Sequence, residues 1–390
     1  MARIRTLIVD DSGVIRRILT KILSSDPAID VVGAAADGRL ALEMIESLAP
    51  DIVTLDIEMP VMDGLETMAE IQKRRPRLPV VMVSTLTERG ATATLRALAF
   101  GALDYVTKPE PALGPEAAER EFREQLIPKV KNLCRRVLED GAASKTARPS
   151  LDVPERTPRT PQPIVARAPS ARAPSSTFQA PKADASLAVP ARVDLVVLAT
   201  STGGPQALET FFKSLPKDFP VPIAIVQHMP PKFTKVLAEH LDRLGGVRVA
   251  EGADGAAMTP GSAWIAPGDH HMVVQEKLGR LSLAIHRDAP VQSCRPSADV
   301  LFRSAASGFG KRALGVVLTG MGEDGLAGCR ELKTLGSTIV VQDQGSSVIW
   351  GMPGAVARAG LADVVVPLEE IASTVLRLVN VSRGRIPVRT

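Results

Sequence analysis

Short apolar segments alternate with amphipathic segments along most of this chain, and this alternation restricts its fold more than any other feature. In the first part, apolar runs at 6–10, 31–35, 52–56, 80–84 and 104–107 are each followed by a stretch with helical spacing of apolar residues. Parallel strands need a long crossover between them, which is usually a helix. We therefore predict an open parallel sheet with helices on both faces.

The same alternation returns in the second part of the chain, from residue 193 onward. It predicts a doubly wound, mostly parallel α/β domain with a β-hairpin inserted around residues 270–286. Strands are predicted at 193–200, 223–226, 263–266, 272–275, 282–285, 314–318, 338–341 and 364–366.

A different composition separates the two parts. Residues 141–190 hold nine prolines and eleven alanines, with few large apolar side chains, so they cannot bury enough surface to offset chain entropy. We predict a domain at 1–125, a helix end and flexible Pro/Ala-rich linker at 126–190, and a second domain at 191–390. Residues 141–190 also hold seven Lys/Arg against three Asp/Glu, an excess of four positive charges that equals the chain's net charge of +4. Nucleic-acid binding is not predicted, because the folded parts carry no charge excess.

The composition also bears on the compartment. No apolar run approaches the length of a membrane span, and no signal peptide is expected ahead of Asp10 and Asp11. Cys134, Cys294 and Cys329 are too few and scattered for a disulfide framework or a metal cluster, and are interpreted as core or incidental residues. We expect a cytoplasmic monomer with no direct membrane insertion.

Acidic residues close the strands of the first domain. Asp10 and Asp11 follow the first strand and Asp56 ends the third, so adjacent strands bring these carboxylates together. Such a cluster repels itself unless a hard cation is bound, and oxygen ligands suit Mg²⁺. Ser84 and Lys108 end the fourth and fifth strands. The set suits a phosphoryl group carried on Asp56, with a partner for each phosphate oxygen.

Here the first domain resembles the receiver domain of two-component response regulators. The resemblance implies a flavodoxin-like (βα)5 fold with Asp56 as the phosphoacceptor. It rests on VDDS at 9–12, LDIEMPVMDG at 55–64, VMVST at 81–85 and DYVTKP at 104–109.

The same resemblance implies the other site residues of this domain. Asp11 and Asp56, with the Glu58 backbone carbonyl, would hold Mg²⁺, and Asp10 would support the water shell of the metal. Ser84 and Lys108 would contact the phosphoryl group, and Tyr105 is similar to the aromatic side chain whose rotamer reports phosphorylation.

The second domain begins with a strand, a tight turn and a helix start within residues 193–212. Ser201 lies at this turn, beside backbone N–H groups that no helical carbonyl accepts. Ser201 is either a nucleophile next to an anion site or a helix cap, and the stretch alone supports both interpretations equally.

Two further strand ends carry candidate catalytic groups. His228 follows the strand at 223–226 and Asp324 follows the strand at 314–318, so both would reach the same crevice as Ser201. A hydroxyl, an imidazole and a carboxylate provide a nucleophile, a base and a group that fixes the tautomer of the base. The order Ser, His, Asp is not that of α/β-hydrolases. The alternatives are a packed His228 and a capping Asp324.

Residues 193–380 resemble the catalytic domain of the chemotaxis protein-glutamate methylesterase/glutaminase (CheB) family. Ala199 and Thr200 stand where that family commonly has Gly and Ala. The matching motifs are ATSTGGP at 199–205, QHMP at 227–230, IAPGDHHM at 265–272, RPSADVLF at 295–302, LTGMGEDG at 318–325 and WGMPGA at 350–355.

This resemblance implies a serine hydrolase that demethylates glutamyl methyl esters, releasing methanol, and deamidates glutamines on chemoreceptors. Ser201, His228 and Asp324 would be catalytic, Thr202 would lie beside the nucleophile, and the Met321 N–H would stabilise the oxyanion. No cofactor is expected in this domain. The partners implied are the cytoplasmic domains of chemoreceptors as substrates and a chemotaxis histidine kinase as phosphodonor.

Alternatives and regulation remain open at this stage. A catalytically inactive response-regulator adaptor that binds receptors or kinase is the main alternative function. His270 and His271 are interpreted as a solvated hairpin edge, because a metal site needs more ligands with suitable spacing. An unphosphorylated receiver is expected to dock over the Ser201 crevice, and a phosphoryl group on Asp56 to shift the equilibrium toward an undocked state.

Overall fold

The computed structural model describes residues 3–109, 114–145, 192–277 and 279–384. The segment at 146–190, most of the predicted linker, lies outside the described residues. Among the residues that are described, every helix is too short or too polar to span a bilayer.

The N-terminal domain is a five-stranded parallel sheet of order β2-β1-β3-β4-β5. Four of the strands are almost entirely buried, the edge strand β2 is mostly half-buried, and helices cover both faces, as predicted for the (βα)5 fold. Its elements are β1 Ile4–Val9, α1 Gly13–Ser24, β2 Ile29–Ala35, α2 Gly38–Leu48, β3 Ile52–Asp56, α3 Gly64–Arg74, β4 Val80–Ser84, α4 Glu88–Ala99, β5 Asp104–Thr107 and α5 Pro115–Lys145.

Local sequence explains where the first helices begin. The side chains of Ser12, Asp37 and Thr87 each accept a hydrogen bond from a backbone N–H in the first turn of the helix that follows. Asp63 and Glu66 form a reciprocal capping box at the start of α3. These caps fix the residue at which each of the four helices begins.

The C-terminal domain is built on a seven-stranded sheet of order β14-β13-β12-β6-β7-β9-β8. All its paired strands are parallel, and β6 lies between β12 and β7 near the centre. Its elements are β6 Leu195–Thr200, α6 Gly204–Lys213, β7 Ile223–Gln227, α7 Phe233–Asp242, β8 Arg248–Glu251, β9 Ser262–Ile265, β10 His271–Lys277, β11 Arg280–His286, α8 Ala298–Phe309, β12 Ala313–Val317, α9 Leu326–Thr334, β13 Thr338–Gln342, α10 Met352–Arg358, β14 Val364–Val366 and α11 Leu368–Ser382.

Two features differ from the sequence prediction. The hairpin of β10 and β11 is present, but it forms a separate antiparallel sheet that packs against α8. Strand β8 was not predicted, because Val249 is the single buried residue of this four-residue edge strand and the apolar signal is too short.

The two domains are in contact. Helix α4 of the N-terminal domain lies against α6 and α7 of the C-terminal domain. The Tyr105 ring stacks on Phe233, with ring centres 4.9 Å apart and planes 7° apart. This contact covers the carboxyl edge of the second sheet, where the predicted catalytic residues lie.

Candidate active site

The turn after β6 holds the backbone of Ser201 rigidly. The Ser201 N–H donates to the Thr319 carbonyl at 3.0 Å, and the Ser201 carbonyl accepts from Gly204 N–H at 2.8 Å and from the Gln227 amide at 3.0 Å. Gly203 has φ of 75°, and a Cβ on Gly204 would lie 1.9 Å from the Gln227 side-chain oxygen. The glycines are therefore required by a turn that presents Ser201 at the strand end.

His228 and Asp324 form a direct pair beside this turn. His228 follows β7, and its Nε2 lies 2.8 Å from Asp324 Oδ2. The His228 side chain is 15% exposed and that of Asp324 is 3% exposed. Because β6, β7 and β12 are neighbours in the sheet, the three predicted residues emerge at one edge.

The start of helix α8 binds the Asp324 carboxylate. Oδ1 accepts hydrogen bonds from the Ser297 hydroxyl at 2.8 Å and from Asp299 N–H at 3.0 Å, while Oδ2 accepts one from Ala298 N–H at 2.7 Å. These N–H groups have no carbonyl partner within the helix, and the helix dipole favours a negative charge there. The carboxylate is consequently fixed in the orientation that meets His228.

Asp299 supports the same loop, although the sequence analysis did not identify it. Its Oδ1 accepts from the backbone N–H groups of Gly325 and Gly328, and its Oδ2 accepts from the Gln292 amide at 2.7 Å. Burial raises the pKa of Asp299, and the neighbouring charge of Asp324 acts in the same direction. In sequence, Ser297 and Asp299 give only the signal of an ordinary helix start.

The pairing shifts the pKa of both partners. Burial alone lowers the pKa of His228, but the hydrogen bond that His228 donates to Asp324, the nearby Cys294 and the charge of Asp324 outweigh it and raise the pKa from 6.5 to about 10. Burial likewise raises the pKa of Asp324, yet the hydrogen bond and charge of His228, with the backbone donors of α8, hold it below 3.8. The pairing therefore favours the charged forms of both side chains, and the carboxylate stabilises an imidazolium at this position.

Ser201 and His228 line one cavity but are not hydrogen-bonded to each other in the described part of the chain. Because Nε2 is bonded to Asp324, Nδ1 is the ring nitrogen left for the Ser201 hydroxyl. The cavity holds about 10 Å³, roughly the space for one water molecule. A glutamyl ester side chain does not fit in this volume.

Residues of the N-terminal domain close the cavity. Asp104 Oδ2 accepts a hydrogen bond from the Thr202 hydroxyl at 2.6 Å, and Lys129 Nζ lies 2.9 Å from Asp104 Oδ1. Thr202 was predicted to lie beside the nucleophile, and it does, but its hydroxyl is directed to the other domain. The predicted switch residue Tyr105 also lines the cavity.

Further contacts reach main-chain atoms of the N-terminal domain. The Gln206 amide donates to the Leu98 and Ala102 carbonyls at 3.2 and 2.7 Å, and Lys232 Nζ donates to the Leu86 carbonyl at 3.2 Å. These bonds hold the end of α4 and the loop before it against α6 and α7.

Met321, the predicted oxyanion donor, lies at the same interface. Its sulfur accepts a hydrogen bond from the Asn132 amide of α5 at 3.0 Å. The preceding Gly320 approaches Ser201 closely, since a Cβ there would lie 2.9 Å from Ser201 Cβ. The loop is therefore adjacent to the nucleophile, and the role of the Met321 N–H stays a prediction.

The carboxylates of the N-terminal domain cluster as predicted. Oxygen atoms of Asp10, Asp11 and Asp56 lie within 4.8 Å of one another. Lys108 Nζ is 2.7 Å from Asp56 Oδ2 and 3.0 Å from Asp10 Oδ2. Burial, with the charge of Asp10, raises the pKa of Asp56 to about 6 against the lowering effect of Lys108. A bound divalent cation would relieve this repulsion, so the donor set fits Mg²⁺.

The other two predicted residues of this site have different partners. The Ser84 hydroxyl donates to the Gly90 carbonyl at 3.2 Å, and the Glu58 side chain is half exposed and lies 3.7 Å from Arg89. Their predicted roles, which for Glu58 involve the backbone carbonyl, stay predictions.

One interpretation from sequence was wrong, and a second residue has neighbours that the sequence did not indicate. His271 is fully buried instead of solvated: Ser297 N–H donates to its Nδ1 at 3.3 Å, and its Nε2 lies 3.2 Å from the Ala289 carbonyl. Cys294, interpreted as a core or incidental residue, is partly exposed, and its sulfur lies within 4.8 Å of ligand atoms of His228 and Asp324. Sequence gave no signal for either, since both depend on how the loop at 287–297 folds back on the site.

Comparison with known proteins agrees with this architecture. The family models for the response regulator receiver domain and for CheB methylesterase match residues 6–113 and 196–375. A protein-glutamate methylesterase/protein-glutamine glutaminase of Trichodesmium erythraeum is 43% identical over 380 residues, which cover 97% of this chain and 100% of the relative. The chain belongs to the CheB methylesterase family. A methylesterase/glutaminase of Nocardioides is also 43% identical, over 97% of this chain and 96% of its own length.

Family membership bears on the predictions of fold and activity. It confirms a receiver domain followed by a CheB catalytic domain, and it favours an enzyme over the inactive adaptor. It leaves the assignment of individual site residues to the geometry described above.

Proposed function

We propose that this chain is a phosphorylation-regulated serine hydrolase that demethylates glutamyl methyl esters and deamidates glutamines on chemoreceptors. The observation that carries the proposal is the His228–Asp324 pair, 2.8 Å apart, on the wall of the cavity that Ser201 also lines. Ser201, His228 and Asp324 supply a nucleophile, a base and an orienting carboxylate, respectively.

Acylation begins when the Ser201 oxygen attacks the ester carbonyl and His228 takes the hydroxyl proton. Asp324, fixed by α8, stabilises the imidazolium that forms. The tetrahedral intermediate then expels methoxide, which receives the proton from His228 and leaves as methanol. The Met321 N–H is the proposed oxyanion donor, and such a donor is typically worth about a hundred- to a thousandfold in rate.

Deacylation repeats the sequence with water. His228 deprotonates the water, which attacks the acyl-enzyme and releases glutamate and free Ser201. With a glutamine side chain the leaving group is ammonia, and the products are otherwise the same. No step requires a cofactor in the catalytic domain.

The receiver domain supplies the control. Asp56 accepts a phosphoryl group from a histidine kinase. Asp11, Asp56 and the Glu58 carbonyl would hold Mg²⁺, with Asp10 supporting its water shell, and a bound Mg²⁺ would offset the negative charge of the transferred group. Lys108 and Ser84 contact the phosphoryl oxygens. We assign the kinase to a chemotaxis signalling system and the substrates to the cytoplasmic domains of chemoreceptors.

Regulation follows from the position of the receiver over the cavity. In the docked arrangement the cavity is too small for substrate, so the unphosphorylated chain is held in a low-activity state. Phosphorylation of Asp56 favours undocking through Tyr105, which stacks on Phe233.

The test of the proposed nucleophile is Ser201→Ala, assayed by methanol release from methylated receptor after phosphorylation with a small phosphodonor. We expect a loss of about 10⁴-fold or more, because removal of the nucleophile leaves only binding and oxyanion stabilisation. The matched control is Ser214→Ala, which changes an exposed serine at the end of helix α6 and should retain activity. Unchanged turnover in Ser201→Ala would rule out this nucleophile.

The same variant separates the enzyme from the adaptor. If Ser201→Ala still binds receptor but releases no methanol, catalysis is the function of the domain. If the wild-type chain binds receptor and releases no methanol under any condition, the inactive adaptor is the correct assignment.

A further inference from the structure

The thiol of Cys294 adds a third metal-ligating group to the proposed catalytic pair. One ligand atom each of His228, Cys294 and Asp324 lies within 4.8 Å of the others. Cys294 is partly exposed, whereas Cys134 and Cys329 are buried. Burial raises the pKa of Cys134 to about 12 and also raises that of Cys329, so neither offers a thiolate.

The loop that carries Cys294 is fixed in place. Val291 and Cys294 exchange backbone hydrogen bonds of 2.9 and 3.1 Å, and the side chain of Gln292 is bonded to Asp299. Gln292 and Ser293 have positive φ values of 49° and 62°, which non-glycine residues seldom adopt. These contacts therefore hold the loop in the conformation that places the thiol close to His228.

We propose that His228, Cys294 and Asp324 form an inhibitory binding site for Zn²⁺. A thiolate, an imidazole and a carboxylate are the ligands that Zn²⁺ prefers, and a set with a fourth position open to water is common in zinc sites. Zn–ligand bonds of about 2.0–2.3 Å separate ligand atoms by roughly 3–4 Å, so the three groups need to close only slightly. Binding forms the Zn–S bond and a bond to one ring nitrogen of His228, and it releases two protons to solvent, one from the thiol and one from the ring nitrogen that binds the metal.

The consequence for activity rests on the proposed function of His228 as the base. A neutral imidazole that binds a metal through one ring nitrogen carries its proton on the other. Neither nitrogen is then able to accept the Ser201 proton, so zinc-bound enzyme is inactive. Mg²⁺ prefers oxygen ligands and does not compete for this site, which keeps it available to the receiver.

The test begins with a spectrum of the full chain, because that readout is independent of esterase activity. Co²⁺ is added as a probe for Zn²⁺, and a thiolate-to-cobalt charge-transfer band in the near ultraviolet is expected. Cys294→Ser should lose the band, while Cys134→Ala and Cys329→Ala should keep it. Asp11→Asn, which weakens the receiver cluster, should also keep it, since that cluster contains no sulfur.

The second readout is methanol release by the phosphorylated chain in buffered Zn²⁺. We expect the concentration for half-inhibition to rise at least about tenfold in Cys294→Ser, each variant being compared with its own zinc-free rate. Absence of the band in the wild-type chain, or its persistence in Cys294→Ser, would overturn the proposal. A band in a chain that shows no esterase activity would support the metal site and reject the proposed function, so the two failures are distinguishable.

Discussion

The hydrogen bond between Asp104 and Thr202 makes receiver docking quantitatively testable. Both side chains are buried at the interface, at 4% and 3% exposure, and the 2.6 Å bond has a charged acceptor. A hydrogen bond to a charged group contributes about 1.5–3 kcal/mol. Lys129 pairs with Asp104 inside the receiver. Loss of that ion pair therefore affects the docked and undocked states alike, and only the bond to Thr202 changes the docking equilibrium.

Asp104→Ala should accordingly shift the equilibrium toward the undocked state by about 10- to 150-fold, since about 1.4 kcal/mol corresponds to a factor of ten. The assay is the ratio of methanol release with a saturating small phosphodonor to release without it. This ratio should fall by the same factor until it reaches one, because the unphosphorylated rate rises while the phosphorylated rate is already that of the undocked state.

Controls separate docking from damage to either domain. Glu43→Ala, which removes an exposed carboxylate of α2, should keep the wild-type ratio. Thr202→Val removes the bond from the other side, and the double variant should lower the ratio no further than the stronger single variant. If Asp104→Ala folds, accepts the phosphoryl group and retains the wild-type ratio, the contact does not restrain the receiver and the reasoning is refuted.

Three further predictions concern the site residues. Asp324→Asn should lower the rate of methanol release by about 10⁴-fold at neutral pH, because the amide no longer fixes the His228 tautomer; a loss of less than about tenfold would contradict this role. Asp56→Asn should leave the rate of methanol release without phosphodonor unchanged but abolish its stimulation by phosphodonor. Retained stimulation would place the phosphoacceptor elsewhere. Because pairing raises the pKa of His228 from 6.5 to about 10, it stabilises the folded state fully below pH 6.5, and this stabilisation is lost as the pH rises through about 10. In urea unfolding, the loss of unfolding free energy caused by His228→Gln should therefore be largest at about pH 6 and smallest at about pH 10. A loss that does not change with pH would contradict the pairing.

The sheet architecture was predictable because each buried parallel strand appears in the sequence as a continuous apolar run. The helices between the strands appear as segments with helical spacing of apolar residues. The same logic placed Ser201, His228 and Asp324 at one edge, since carboxyl ends of neighbouring parallel strands converge. The pairing of His228 with Asp324 follows from this rule and is present at 2.8 Å.

Residues that act through loops or across the interface were not predictable in this way. Asp104 reads in sequence as the first residue of a strand, and only the packing of α4 and α5 on the second domain brings it to Thr202. Cys294 and His271 depend on a loop whose conformation is set by contacts with distant residues, and no periodic pattern encodes such contacts. The edge strand β8 is too short and polar to stand out from a loop.

The hydrogen bonds from Gln206 and Lys232 end on main-chain carbonyls of Leu86, Leu98 and Ala102. Every amino acid offers such an acceptor, so the side chains at these three positions can change without loss of the hydrogen bonds from α6 and from the residue before α7. Chimeras that fuse this catalytic domain to receiver domains of other signalling proteins should retain these main-chain hydrogen bonds. The catalytic domain can therefore be combined with different receivers.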